Sequence, residues 1–295
     1  MNSSAGTIVV GIDASESSLR ALAWAVKRAQ AEHRAITLVH AIELCTPAYA
    51  DAVAVYPEQA RDALRAEGRD ALGAARAMVE RTAPDLEVHE VFRFDDPREV
   101  LMDLSESASL LVIGSRGRGR IRSLLLGSVG VALARHAQCP IVVHRPGNQG
   151  LVRKGVLVGA DGSEGSRAVL EFAYREASLA HLPLTVLHCF WDVGAGSLGG
   201  YVVPETLVDL EAERLLLAES MAGMSEKYPD VRVRTELTRG LPQDALVRLG
   251  DRMNLVVVGT RQAGTLSQML SGSVSIAVVE HARCPVAVVP VASSL

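Results

Sequence analysis

The sequence predicts an α/β protein built as two tandem domains, each a doubly wound, five-stranded parallel sheet. Three observations carry this. First, the chain repeats itself. Val9-Val10-Gly11-Ile12-Asp13-Ala14-Ser15-Glu16 returns as Leu157-Val158-Gly159-Ala160-Asp161-Gly162-Ser163-Glu164, and Thr37-Leu38-Val39-His40 returns as Thr185-Val186-Leu187-His188, both 148 residues on (Gly11 to Gly159, His40 to His188). Leu111-Val112-Ile113-Gly114 returns as Val256-Val257-Val258-Gly259, and His136-Ala137-Gln138-Cys139-Pro140 as His281-Ala282-Arg283-Cys284-Pro285, both 145 on (Gly114 to Gly259, Pro140 to Pro285). Four matches in order with a small drift mean duplication of a whole domain, since a solenoid has a far shorter period. Second, short β-branched runs alternate with long helical patterns. Third, those runs are continuously apolar, as strands buried on both faces are in parallel sheets.

The elements follow in order. In the first copy, strands are expected near 7–12, 36–41, 86–92, 110–114 and 140–144, with helices near 16–32, 58–82, 97–107 and 128–137. Leu19, Leu22, Ala23 and Val26 recur at three- and four-residue steps, which gives the first helix an apolar stripe to lay on the sheet. The second copy repeats the scheme with strands near 155–160, 184–189, 231–237, 255–259 and 285–290. Pro146, Gly147, Asn148 and Gly150 cluster at the join, setting the domains at 1–146 and 151–295. A length of 295 residues suits two domains.

Composition removes several functional classes. Thirty basic residues against 34 acidic ones give a net charge of −4, so there is no basic field for nucleic acid, and 4% aromatics leave little surface for stacking bases. Hydrophobic residues at 48% supply a core for each half, which argues against disorder. Four cysteines (Cys45, Cys139, Cys189, Cys284) are too few for a disulfide scaffold in a chain this long. No basic start followed by an apolar run marks a secretory signal, and no stretch is long enough to span a membrane. The expectation is a cytoplasmic protein with reduced thiols.

Ligands of such sheets sit beyond the carboxyl ends of the strands, where the winding reverses. With a strand order of 3-2-1-4-5, the turn after strand 1 (Gly11 to Asp13) and the loop after strand 4 line one crevice. That loop reads Gly114-Ser115-Arg116-Gly117-Arg118-Gly119-Arg120-Ile121-Arg122-Ser123-Leu124-Leu125-Leu126-Gly127-Ser128. Glycines let backbone N–H groups converge on phosphate oxygens, and Gly127-Ser128 opens the next helix, whose first amides and positive dipole end attract anions. Arg116, Arg118, Arg120 and Arg122 add positive charge, or else form a solvated face. The Ser128 hydroxyl can cap the helix, donate to phosphate or hold a phosphate-bound cation. The outline is a polyphosphate cradle. It is not a Walker A loop, since Gly-Lys-Ser/Thr is missing, nor a dinucleotide fingerprint, since the glycines follow strand 4. A Gly-x-Gly-x-x-Gly at Gly194, Gly196 and Gly199 opens no helix and is read as chance.

Gly114-x2-Gly117-x9-Gly127-Ser128, the opening Val-Gly-x-Asp-x-Ser, the strand ending Val-His-Ala and the closing His-Ala-x-Cys-Pro strand together resemble the universal stress proteins. The likeness spans almost the whole chain, twice, and is similar to the tandem-domain, actinobacterial type. The resemblance implies a Rossmann-like fold of the adenine nucleotide alpha hydrolase kind, ATP binding, and Mg2+ or Mn2+ carried with the nucleotide. Carried over by position, Asp13 and the main chain of Ala41 would contact adenine and ribose. Gly114, Ser115, Arg116, Gly117, Arg118, Gly119 and Arg120 would flank ribose and phosphates, and Gly127, Ser128 and Val129 would hold the triphosphate. It also implies a nucleotide-dependent regulatory switch in stress or growth control and dimerisation of the tandem chain.

The second copy departs from the motif. Gly159 and Asp161 repeat the first turn, and Gly272-Ser273-Val274 keep the right distance from Gly259. But Gly259-Thr260-Arg261-Gln262 has Gln262 where the second glycine belongs, and one arginine, Arg261, where copy one has four. A side chain where backbone must approach phosphate argues for a weaker or empty second site.

Other readings stand beside these. Asp13 and Asp161 suit helix capping as well as ligand binding. His136-x2-Cys139 with His281-x2-Cys284 has the donors of a zinc site only if the two pairs meet; otherwise each cysteine is a buried hydrophobe. No catalytic residue is assigned, because no nucleophile-and-base set falls on the crevice loops; slow ATP hydrolysis and cAMP binding on the same fold are the alternatives. The loops 42–57 and 190–204 are candidate lids. The closing strands Pro140-Ile141-Val142-Val143 and Pro285-Val286-Ala287-Val288-Val289 are apolar edges, expected to pair with each other as an intramolecular pseudo-dimer.

Overall fold

Each Val/Ile/Leu run of the first copy forms a strand, and each amphipathic segment a covering helix. The computed structural model describes residues 5–44, 55–115, 127–145, 154–190, 210–261 and 272–291. The chain divides into two compact units, Met1–Pro146 and Gly147–Leu295. Unit 1 runs β1 (Ile8–Gly11), α1 (Glu16–Glu32), β2 (Ile36–Ala41), α2 (Pro57–Thr82), β3 (Val88–Arg93), α3 (Pro97–Ser105), β4 (Leu110–Gly114), α4 (Ser128–His136) and β5 (Ile141–His144). Its strands lie in the order β3-β2-β1-β4-β5, all parallel. The expected order and strand count are therefore those of the fold, and the ends of β1 and β4 are neighbours, with Val10 opposite Val112.

The inner strands are buried throughout, as continuous apolar runs predict: Ile8, Val9 and Val10 on β1 and Leu111 and Val112 on β4 are inaccessible to solvent. β3 differs, carrying His89, Glu90 and Arg93 on a half-exposed strand, because it is the outermost strand of the sheet and has a ladder partner on one side only. Helix α1 packs over β4, β1 and β5, and α2 over β2 and β3, on one face; α3 and α4 touch each other on the other. Ser15 caps α1 by accepting the Ser18 N–H, and His33 ends it in the left-handed region at φ 52°. Asp96 caps α3 in the same way, and the Arg98 guanidinium bonded to it holds its carboxyl below the usual carboxylate range.

Unit 2 repeats the plan with β6 (Val156–Gly159), α5 (Ser166–Leu179), β7 (Leu184–Phe190), α6 (Glu211–Ser220), α7 (Met224–Lys227), β8 (Val233–Arg239), α8 (Pro242–Gly250), β9 (Leu255–Arg261), α9 (Gly272–His281) and β10 (Val286–Val291). Within it the order is β10-β9-β6-β7-β8, again parallel. Two differences from unit 1 matter below. A separate helix, α6, precedes a one-turn α7 where unit 1 has the single α2. And β9 runs on past Gly259 to Arg261, whereas β4 stops at Gly114.

Candidate functional site

In both units the turn after the first strand is built from its own polar side chains. In unit 1 the Asp13 carboxylate accepts the Ser15 N–H at 3.0 Å, and the Ser18 hydroxyl donates to the Ser15 carbonyl at 2.9 Å. In unit 2 the Asp161 carboxylate takes the Ser163 N–H at 3.0 Å and the hydroxyls of Ser163 and Ser166. Both aspartates thus brace the turn that leads into the next helix, while Ser15 caps α1 and α5 starts after Gly165 without a side-chain cap. The residue after each aspartate adopts a positive φ, Ala14 at 60° and Gly162 at 78°.

The histidines ending the second strands tie that strand to this turn. His40 Nδ1 donates to the Ile12 carbonyl at 2.7 Å, and His188 Nδ1 to the Ala160 carbonyl at 2.8 Å. Each bond fixes the backbone one residue before the aspartate. The role of both histidines here is a structural one at the crevice wall.

At the other side of the unit 1 crevice, Gly114 ends β4 against the first turn of α1. A Cβ there would lie 2.6 Å from Ser17 Oγ, 2.8 Å from the Ser17 carbonyl carbon and 2.9 Å from Ser18 N, so only glycine fits. The buried Ser17 hydroxyl has no hydrogen-bond partner among the described residues, so a polar group is wanted there. Ser115 is buried and its N–H donates to the His144 carbonyl, so that amide serves the sheet. Gly11 ends β1 and Ala41 ends β2, as expected. Gly127 is the N-cap of α4, and Ser128 and Val129 form its first turn; Gly127 and Ser128 are exposed. Arg116, Gly117, Arg118, Gly119 and Arg120 lie outside the described residues, as do Arg122, Gln262 and the glycines at 194, 196 and 199.

Unit 2 holds a cavity of about 360 Å3 at the same place, within the range of small-molecule pockets. Asp161, Ser163 and Gly165 line it from the α5 end, Leu187 and Cys189 from β7, Val258 and Gly259 from β9, Pro242 and Leu246 from α8, Val274 from α9 and Val291 from β10. The candidates Gly159, Asp161, Gly259 and Val274 therefore converge on one space. Thr260 and Arg261 do not begin a loop: they extend β9, opposite Pro290 and Val291 of β10, and Thr260 is buried. The expected strand ended at 259, but β10 reaches Val291 and supplies the ladder that carries β9 two residues further. Gly272 and Ser273 open α9.

The sequence reading missed Cys189, Gly165 and Val291 as crevice residues. Cys189 was legible, since it stands 148 residues after Ala41; Val291 had no signal. Burial pushes the Cys189 thiol up to about 11, so it faces the cavity in its neutral form. Cys139 is buried too and pushed up to about 12. Among the described residues no cluster of three or more His, Cys, Asp or Glu side chains is arranged for a metal, which leaves the zinc alternative without support there. Among the described residues no helix is long and apolar enough to cross a membrane.

The model of the Universal stress protein family matches residues 5–145 and again 153–290. The chain belongs to the universal stress protein family. A universal stress protein of Mycobacterium tuberculosis is 36% identical over 295 residues, covering 97% of each chain, and one of Mycolicibacterium smegmatis is 34% identical over 293 residues, covering 96% of each. Among solved structures, a universal stress protein from Archaeoglobus fulgidus superposes with a TM-score of 0.71 at 20% identity, covering 96% of this chain and 98% of that one. At that identity the likeness concerns the fold. In this universal stress protein, then, both family repeats carry the Asp-turn and histidine tie, and they differ at the glycine loop.

Proposed function

We propose that this universal stress protein is an ATP-binding regulatory protein, with the nucleotide in the crevice between the β1 turn and the β4 loop of unit 1. The observation that carries the reading is the fit of Gly114 against the first turn of α1, beside a buried hydroxyl that lacks a partner among the described residues. The α1 backbone demands glycine at 114, which brings the root of the Gly-x2-Gly-x9-Gly-Ser loop close against that turn, and the further glycines of the loop are what close approach of backbone to phosphate requires. Asp13 and the Ala41 main chain would hold the ribose and base, Gly127 to Val129 the phosphates, and Mg2+ or Mn2+ would offset their charge.

The unit 2 cavity supports a second, weaker nucleotide site. Its apolar wall of Leu187, Leu246, Val258 and Val291 suits a base. With Thr260 and Arg261 held in the ladder and Gln262 in place of a glycine, the backbone has less freedom to wrap a phosphate tail. ATP would act as a switch ligand only if it binds one conformation or assembly more tightly than another.

Mass spectrometry of small molecules released from purified, undialysed protein tests the reading. The expected result is ATP or ADP, sharply reduced in Gly117→Ala. Release of cAMP alone would replace ATP by a cyclic monophosphate, and protein that neither retains nor takes up nucleotide would reject the proposal.

A further inference from the structure

In unit 2 the crevice histidine has a second partner. His188 Nε2 lies 2.9 Å from a carboxylate oxygen of Glu213 on α6, while Nδ1 donates to the Ala160 carbonyl at 2.8 Å. The histidine side chain is 7% exposed and that of Glu213 34%. A carbonyl can only accept, so Nδ1 carries a proton. We infer that Nε2 carries one as well, and that the His188–Glu213 pair is a charged catch by which α6 positions the crevice turn of unit 2. Glu213 and His188 are positioning residues, acting through the Ala160 carbonyl on the residues that line the cavity.

Two contacts make α6 the element that sets this turn. Glu213 reaches the Ala160 carbonyl through the imidazole. One turn further along the helix, Leu216 covers Gly162, whose missing Cβ would lie 2.4 Å from Leu216 Cδ2. Ala160, Asp161 and Ser163 all line the cavity. Unit 1 covers its histidine differently. His40 stacks on Phe92 at 6.1 Å between ring centroids, and Gly68 of α2 lies against both rings. The residue opposite His188 on β8 is Leu237 instead.

The charges around His188 leave Glu213 as its ionic partner. On β8, Glu236 precedes Leu237, opposite Leu187, and Arg239 stands two residues after it, opposite Phe190; from α8, Arg248 acts, with Glu236, on Cys189. Asp161 is bound to the serines of the turn, and on α5 Glu171 is paired with Lys227 of α7. Arg167, Arg175 and Glu176 are the other charged side chains of α5. Among the described residues the ion pair that reaches His188 is the one with Glu213. The catch is then closed while glutamate is ionised and histidine protonated. Loosening α6 frees the turn, so ligand occupancy and closure of the catch influence each other.

The catch is tested without ligand, on the full chain. Nitrogen NMR of His188 at neutral pH should show both ring nitrogens protonated; a lone pair on either one overturns the inference. Hydrogen-exchange protection of residues 160–166 is followed by mass spectrometry in the wild type and in two variants. Glu213→Ala should lower it about tenfold at neutral pH and leave residues 12–18 unchanged. Glu213→Gln, whose amide can still hydrogen-bond the imidazole, should keep most of the protection, while its His188 loses the proton on Nε2 in the nitrogen spectrum. No loss in Glu213→Ala, or an unaltered His188 nitrogen spectrum in Glu213→Gln, contradicts the catch. The consequence for ligand rests on the proposed nucleotide site. If protection falls in Glu213→Ala while ATP binding at unit 2 does not, the nucleotide reading of that unit fails and the catch stands.

Discussion

The two units share a strand order, an aspartate turn and a histidine tie, yet their crevices differ at the strand that leads into the glycine loop. In unit 1, β4 stops at Gly114, pressed against the backbone of α1. In unit 2, β9 continues through Thr260 and Arg261, and a Cβ on Gly259 would meet the side chains of Val169 at 2.8 Å and Val291 at 3.2 Å. One glycine is demanded by backbone, the other by side chains that line a cavity. A duplicated fold can thus keep its frame while the two strands end at different points.

The sharpest way to break this comparison is alanine at both glycines. Gly114→Ala forces a methyl group into the Ser17 and Ser18 backbone and should cost unit 1 about 3 kcal/mol, the upper end of overpacking penalties. Gly259→Ala meets side chains that can rotate and should cost about 1 kcal/mol. Urea unfolding followed separately in the two units by hydrogen exchange distinguishes them, and equal losses would refute the contrast.

Next in size is the turn. Gly162→Ala puts a Cβ onto Leu216 at φ 78° and should destabilise unit 2 by about 2 kcal/mol, combining left-handed strain with the clash. Ala14→Gly relieves the same strain in unit 1 but loosens the unfolded chain, and the two effects should cancel to within about 0.5 kcal/mol. A Gly162→Ala protein as stable as the wild type would show that α6 does not press on the turn.

The smallest effect concerns the helix starts. Asp96 caps α3, while its counterpart Leu241, 145 residues on, leaves α8 without a side-chain cap and is 49% exposed. Asp96→Ala should cost about 1 kcal/mol, and Leu241→Asp should gain about 0.5 kcal/mol. Because Arg98 lowers the Asp96 pKa in the fold, the stability it lends is present above the unfolded value, about 3.9, and fades as pH falls through the lower folded value. Thermal melts at pH 7 and pH 2 check the sign: the Asp96→Ala penalty should shrink in acid.

Much of the frame was legible. Apolar runs located the strands to within two residues, and the repeat offsets aligned Asp13 with Asp161 and Gly114 with Gly259. Parallel winding then followed from burial on both faces. What stayed hidden depends on partners distant in sequence. The extension of β9 to Arg261 needs β10 to reach Val291, which no local pattern announces. Glu213 meets His188 only because α6 lies over that end of β7, and a glutamate among several on a polar helix carries no mark of its partner. Cys189, by contrast, is legible by offset, standing 148 residues after Ala41.

Calorimetric titration of the dialysed full chain with ATP and Mg2+, beside Gly117→Ala and Gln262→Gly, tests the central claim most directly. The account predicts one strong site in the wild type, lost in Gly117→Ala, and a second site that tightens in Gln262→Gly. Binding unchanged by Gly117→Ala, or no binding at all, would contradict it.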